Sequence, residues 1–255
     1  MSNRHHTQSH RGRTAVVTGA TRGVGLAIAR RLCEDGADVI LNYAHDDETA
    51  ARAVEELAHL PGEAFAVKAD VADPAALTQL LSAAHGRFGG LDYFVHNTAF
   101  FRPAPTLATA PEDVERSLAV ALGPLLHGGR WLAESMAGGP GRIVAVSSLG
   151  AQRVVPGYLG AGVAKAALEA LVRYLAVELA DREITVNAVS TAKIDKGGRA
   201  GPSGPAEALA ARTPGGRLTT PEDLAGVVSL LCSAEAAWIQ GQVITADGGL
   251  SLLAV

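Results

Sequence analysis

No stretch of apolar residues in this chain approaches the ~18–20 needed to cross a bilayer, so no spanning helix is expected. Cysteine is nearly absent. Cys33 and Cys232 each sit inside an apolar helical pattern and read as buried thiols in a reducing compartment, the cytoplasm, rather than as a disulfide. No cluster of His, Cys and Asp has metal-ligand spacing, so no metal site is expected. Three histidines, His5, His6 and His10, fall in the start MSNRHHTQSHRGR. This start lacks the apolar core of a secretory signal, and residues 1–12 read as a disordered leader. No basic stripe appears and the formal net charge is −4, which argues against a nucleic-acid partner. Nor does a nucleophile elbow surround Ser148, so a Ser-His-Asp hydrolase is set aside.

What remains is a chain of 255 residues with 48% hydrophobic and 19% charged residues, enough for a sizeable core. Apolar, β-branched runs of strand length occur at 14–18, 38–42, 64–68, 92–95, 143–146, 184–189 and 242–245. Helical patterns lie between them at 24–35, 47–59, 74–88, 111–136, 158–181 and 221–233. Asp73-Pro74 and Thr220-Pro221-Glu222 each offer an N-cap followed by proline at the first helical position. Alternating β and α units with near-continuous apolar strands predict an α/β fold, a doubly wound parallel sheet of about seven strands in a single Rossmann-type domain over 13–255. Ligands then bind beyond the carboxyl ends of the strands, where the strand order reverses. Residues 191–217 lack periodicity, are rich in Gly and Pro, and follow the sixth strand on the ligand side, so 191–218 is expected to be a substrate loop or lid.

The first βα turn is Thr18-Gly19-Ala20-Thr21-Arg22-Gly23-Val24-Gly25. Glycines between a strand and a helix let backbone approach a pyrophosphate, with the helix N-terminus supplying amide donors. An acid at the end of the second strand would hold the adenosine ribose of NAD. That place is Asn42 or Tyr43, followed by His45, and Arg22 on the glycine loop is placed to face a 2′-phosphate. This favours NADP over NAD, although Asp46 and Asp47 just beyond argue the other way. Asp70 and Val71 follow the third strand and are candidates for the adenine edge, with a turn-forming Asp as the alternative. Asn97 ends the fourth strand near the expected ribose. Phe100 and Phe101 follow it, either as pocket wall or as core.

Residues 147–178 hold the candidate chemistry. Ser147 and Ser148 end the fifth strand, and a Pro156-Gly157 punctuation leads to Tyr158 and an Ala/Leu-rich helix carrying Lys165. Tyr158 and Lys165 are seven apart, roughly two helical turns, so both face one side if the helix begins by Tyr158. A free phenol has a pKa of about 10, and a nearby ammonium favours its anion.

Together these residues resemble the short-chain dehydrogenase/reductase family from Arg13 to Val255. The family's TGxxxGxG pattern matches Thr18 to Gly25, its Asn matches Asn97, its Ser matches Ser148 and its Lys matches Lys165. Its Ile after the sixth strand matches Ile194, and its C-terminal DGG matches Asp247-Gly248-Gly249. Most members carry Tyr four residues before the Lys, where this chain has Ala161. The Tyr-x6-Lys spacing instead resembles bacterial enoyl-acyl-carrier-protein reductases, above all their NADPH-dependent third type. The resemblance implies that Tyr158 and Lys165 are catalytic, Lys165 also holding the nicotinamide ribose, with Ser148 as helper or as turn closure. It implies reduction of a trans-2-enoyl thioester, on acyl carrier protein or coenzyme A, in fatty-acid or specialised-metabolite synthesis. It implies a homotetramer or homodimer. A carbonyl reductase and a non-catalytic dinucleotide binder are the alternatives. Three features depart from the family. Residues 118–121 lack its fourth-helix Asn, Thr191-Ala192 replace Pro-Gly, and Lys196 replaces a Thr, where it reads as an exposed loop lysine or, as the alternative, a contact to a cofactor phosphate or phosphopantetheine.

Overall fold

The computed structural model describes residues 9–195 and 204–253. Seven parallel strands form one sheet in the order β3-β2-β1-β4-β5-β6-β7. They are β1 (Thr14–Val17), β2 (Asp38–Tyr43), β3 (Ala64–Lys68), β4 (Tyr93–His96), β5 (Arg142–Val146), β6 (Thr185–Ser190) and β7 (Val243–Thr245). The helices are α1 (Gly23–Glu34), α2 (Asp47–Leu57), α3 (Pro74–Phe88), α4 (Pro111–Ser135), α5 (Leu159–Glu178), α6 (Pro205–Arg212) and α7 (Pro221–Cys232). The doubly wound sheet expected from the alternation is the one observed.

Both faces of the sheet are buried, which is why its strands read as continuous apolar runs. Successive side chains point to opposite faces. Val17, Leu41 and Val95 join Ile28 and Leu32 of α1 and Leu224 and Val228 of α7 in one layer. Val16, Ile40 and Phe94 join Leu80 of α3, Leu132 of α4 and Leu168 and Val172 of α5 in the other. Each such side chain withdrawn from water contributes about 1.5–3 kcal/mol, so the central strands are fixed in register.

Helix starts follow local chemistry. The Asp73 carboxylate accepts from the Ala75 amide with Pro74 next in line, and Thr220 and Asp223 form a reciprocal capping box at α7. All strand carboxyl ends lie along one edge, and the order reverses between β1 and β4.

Two expectations need correction. The disordered leader does not extend through residue 12: His10 is fully buried, with Nδ1 at 3.2 Å from the Tyr93 hydroxyl and Nε2 at 3.0 Å from the Ser229 hydroxyl. It ties the chain start to β4 and α7. His5 and His6 lie outside the described residues. The expected loop over 191–218 contains the helix α6, and before it Ile194 makes a parallel bridge with Thr219. Lys196 lies outside the described residues.

Candidate active site

The glycine turn at the reversal point is held from three sides. The Thr18 amide bonds the Val95 carbonyl, and the Ala20 amide bonds the Asn42 carbonyl, each at 2.9 Å. Asn97 Nδ2 donates to the Thr18 and Gly19 carbonyls at 3.1 and 3.2 Å. Gly19 and Gly23 have φ of +61° and +55°, in the left-handed region that glycine adopts without cost. A Cβ on Gly25 would sit 2.1 Å from the Gly19 carbonyl oxygen and 2.8 Å from Asn97 Nδ2. Only hydrogen fits there. The first turn of α1 thus follows directly on a tight glycine turn at the strand ends, a placement that suits a pyrophosphate. Thr21 is buried in the same turn, Val24 is partly buried against the core, and Arg22 is exposed.

The neighbouring strand ends are placed as follows. Asn42 is buried and its Nδ2 donates to the Ala69 carbonyl at 2.9 Å. Its side chain is therefore spent on the β2–β3 edge, and Tyr43 is the residue left at the strand end. The Tyr43 hydroxyl donates to Asp47 at 2.8 Å, and Lys68 pairs with the same carboxylate at 2.8 Å. Asp46 caps α2 through the Thr49 hydroxyl and amide, which hold its carboxyl below the usual range, and the Arg22 charge adds to that effect. His45 is exposed beside them. Asp70 accepts from the Ala72 amide at 3.0 Å and pairs with Arg116 of α4 at 2.5 Å, so the turn-forming role is realised. Val71 belongs to the core, 3% exposed, which leaves only its backbone to meet a ligand.

Further along the edge, β5 delivers Ser147 and Ser148, and the chain turns through 149–152 into α5. Tyr158 stands just outside that helix. It is the N-cap residue, with its carbonyl accepting from the Gly162 amide at 2.7 Å. The helix expected to begin by Tyr158 begins one residue later, and Tyr158, with φ −116° and ψ 18°, is outside the helical conformation. Its ring lies over Gly150 and against Phe101, with ring centroids 4.9 Å apart. Ala161, where most of the family has tyrosine, is buried and away from the cleft. The phenol, not the alanine, is the group presented.

Lys165 is 4% exposed and its Nζ donates to the Val146 carbonyl at 2.6 Å. Burial pushes the amine down to about 8. Its charge is felt by His96, the last residue of β4, whose imidazole is pushed down to about 3 by burial first and by Lys165 second. The neutral His96 lies between the Thr18 hydroxyl and the Ala121 carbonyl, each at 3.0 Å. This carbonyl belongs to the stretch of α4 that lacks the family's Asn, and the His96 ring takes it up. Ser148 Oγ accepts from the Gly150 amide at 3.2 Å, closing the turn, and Ser148 also borders the cleft.

That cleft has a volume of about 700 Å³. Tyr158, Ser148 and Ile194 border it, and Phe101, Val154, Val155, Leu209, Leu250 and Leu253 supply apolar walls. Among the described residues its charged lining is Arg153, Lys193 and Arg212, all cationic. Lys193, Leu209 and Arg212 fall within the stretch 191–218 expected as a substrate loop, whereas Arg153, Val154, Val155, Leu250 and Leu253 were not singled out by sequence reasoning. The one available signal for α6 was Gly204-Pro205 followed by Glu207, a proline-first helix start with an early acid. Among the described residues no group of His, Cys, Asp and Glu is arranged to hold a metal ion.

Comparison with known proteins completes the assignment. The family model described as enoyl-(acyl carrier protein) reductase matches residues 19–251. The chain belongs to the short-chain dehydrogenase/reductase family. It is thereby an oxidoreductase of the nicotinamide-dinucleotide type. Among its relatives, 1-cyclohexenylcarbonyl-CoA reductase of Streptomyces collinus is 36% identical over 100% of this chain and 92% of its own length. Versicolorin reductase 1 of Aspergillus parasiticus is 35% identical over 98% of this chain and 99% of its own. A short-chain dehydrogenase from Burkholderia cenocepacia, solved in complex with NADP, superposes with a TM-score of 0.87 at 33% identity. That likeness covers 95% of this chain and 99% of the other.

Proposed function

We propose that this oxidoreductase reduces the carbon–carbon double bond of a trans-2-enoyl thioester with NADPH. The observation that carries the reading is that Tyr158 borders the apolar cleft while Ala161 is buried. In ketone reduction, the carbon that receives hydride bears the oxygen that is protonated. In enoyl reduction, hydride goes to the β-carbon and charge develops on the thioester oxygen, a few ångströms away. A phenol set three residues earlier than the family norm suits the more distant oxygen. Bound NADPH supplies the hydride. The Tyr158 hydroxyl then donates a hydrogen bond to the enolate oxygen as charge develops there. The α-carbon takes its proton from water, so the Asn missing from 118–121 is not needed. Lys165, close to its titration point, would supply positive charge beside the site, and Arg22 would face the 2′-phosphate that distinguishes NADPH from NADH. Apolar walls with Arg153, Lys193 and Arg212 as the charged lining suit an acyl chain on an anionic carrier, coenzyme A or acyl carrier protein. The 1-cyclohexenylcarbonyl-CoA reductase relative agrees with this substrate class. A cytoplasmic homotetramer or homodimer in fatty-acid or specialised-metabolite synthesis is the setting the family resemblance implies.

The likeness to versicolorin reductase keeps a carbonyl-reducing reading in view. Nicotinamide absorbance followed with crotonyl thioester and then acetoacetyl thioester separates the two. Oxidation of NADPH with the first alone supports enoyl reduction, and oxidation with the second alone supports carbonyl reduction.

A further inference from the structure

Glu169 lies on α5 one turn beyond Lys165, yet nothing in the chemistry above uses it. It is 5% exposed. Its Oε1 accepts from the Ser147 hydroxyl at 2.6 Å, and its Oε2 accepts from Gln152 Nε2 at 3.2 Å. A buried carboxylate is costly unless its oxygens are bonded, so an acid kept here and satisfied by these two donors is tied to the segment that supplies them. The two donors bracket one segment: Ser147 opens the turn 147–152 and Gln152 ends it.

The arrangement repeats in register. Val146 and Ser147, successive residues at the end of β5, are gripped by Lys165 and Glu169, which lie i and i+4 on one face of α5. The bracketed turn carries Ser148 and Gly150. The Tyr158 ring rests on Gly150 so closely that a Cβ there would come within 2.6 Å of the ring. Gly162 of α5 meets the same turn, where a Cβ would lie 2.9 Å from the Gly150 carbonyl oxygen. The position of the turn therefore sets the position of the phenol.

We propose that Glu169 is a positioning residue, a clamp that holds the turn 147–152 against α5 and so fixes Ser148 and the Tyr158 ring at the cleft. The inference rests on Tyr158 as the acting group, and its test includes a readout that does not require turnover. The Gly150, Ala151 and Gln152 amides are bonded within the turn, and Leu149 N donates to the carbonyl of Thr191, just past β6, at 2.8 Å. Hydrogen exchange therefore reports the clamp directly. Glu169→Leu should raise exchange over 149–152 by about tenfold while β1 and α1 exchange as in the wild type. With crotonyl-coenzyme A, the same variant should lose about tenfold in kcat, with NADPH affinity within about twofold of the wild type. Glu169→Gln retains an acceptor for Ser147 and should restore both within about threefold. Ser147→Ala breaks the same link, so combining it with Glu169→Leu should cost less than the sum of the two. Unchanged exchange over 149–152 in Glu169→Leu would overturn the clamp, as would faster exchange throughout the chain or additive losses in the double variant. If the wild type turns over no thioester, the enoyl reading fails, and the exchange result still decides the clamp.

Discussion

The two halves of the site are built differently. The half expected to hold the dinucleotide, at the ends of β1, β2 and β4, is a backbone turn held by backbone bonds to Val95 and Asn42 and by the Asn97 side-chain amide, and Gly25 leaves no room for a methyl group. The substrate half, beyond β5 and β6, is made of side chains on turns. Tyr158 sits outside its helix, Phe101 is half-exposed beside it, and α6 contributes Leu209 and Arg212 to the cleft wall. A rigid half common to the family is joined to a half whose chemistry depends on where one ring is placed. Substitutions in the first should abolish binding, and substitutions in the second should change chemistry while leaving binding intact.

The strongest test of that contrast is Gly25→Ala. Overpacking costs about 1–3 kcal/mol where neighbours can shift, and here the neighbour is backbone. Dinucleotide affinity, read by quenching of intrinsic fluorescence, should fall by about 100-fold. Retained affinity would mean that the cradle is looser than its contacts indicate. Next comes Tyr158→Phe. Removing one donor from a developing oxyanion costs about 100-fold to 1000-fold in kcat. NADPH affinity should not change, and Ser148→Ala should cost far less because its hydroxyl already closes a turn. Equal losses in the two variants would assign the acid wrongly.

The pH dependence is a subtler effect. Burial holds the Lys165 amine at about 8, against an ordinary 10.5. Its cation is therefore present below about pH 8, and kcat/KM should decline as pH rises through that value. Stability should move the opposite way. Between about 8 and 10.5 the unfolded chain binds the extra proton, so the folded enzyme without coenzyme gains stability as pH rises there. A kcat/KM flat from pH 7 to 9.5 would remove Lys165 from its charge role. The smallest effect concerns Arg22→Ala, which should weaken NADPH about tenfold and NADH hardly at all. The reverse order would turn the coenzyme preference toward NAD.

The same division explains what could be read from the sequence. The strands and six helices were visible as alternating apolar patterns because both sheet faces are buried, and caps such as Asp73-Pro74 and Thr220-Pro221 mark helix starts. Tyr158 was recognisable by its spacing from Lys165, but not its place outside α5, because a helix boundary one residue away is not encoded in periodicity. The helix α6 escaped notice inside a Gly/Pro-rich stretch: eight residues with one buried position make no amphipathic stripe. His10 looked like part of a polar leader because its partners, Tyr93 and Ser229, lie 83 and 219 residues away. The Glu169 clamp reads in one dimension as an ordinary helix acid. Only the fold brings Ser147 and Gln152 to it.

The central claim, that Tyr158 serves a reaction in which hydride and developing charge sit on different atoms, has one direct test. NADPH deuterated at the transferring nicotinamide carbon is incubated with crotonyl-coenzyme A and the wild-type enzyme, and the label is located by mass spectrometry and NMR. Deuterium at the β-carbon of a butyryl product, lost with Tyr158→Phe, is the predicted result. Absence of that product, with label appearing only at the carbinol carbon when acetoacetyl-coenzyme A is supplied, would contradict it.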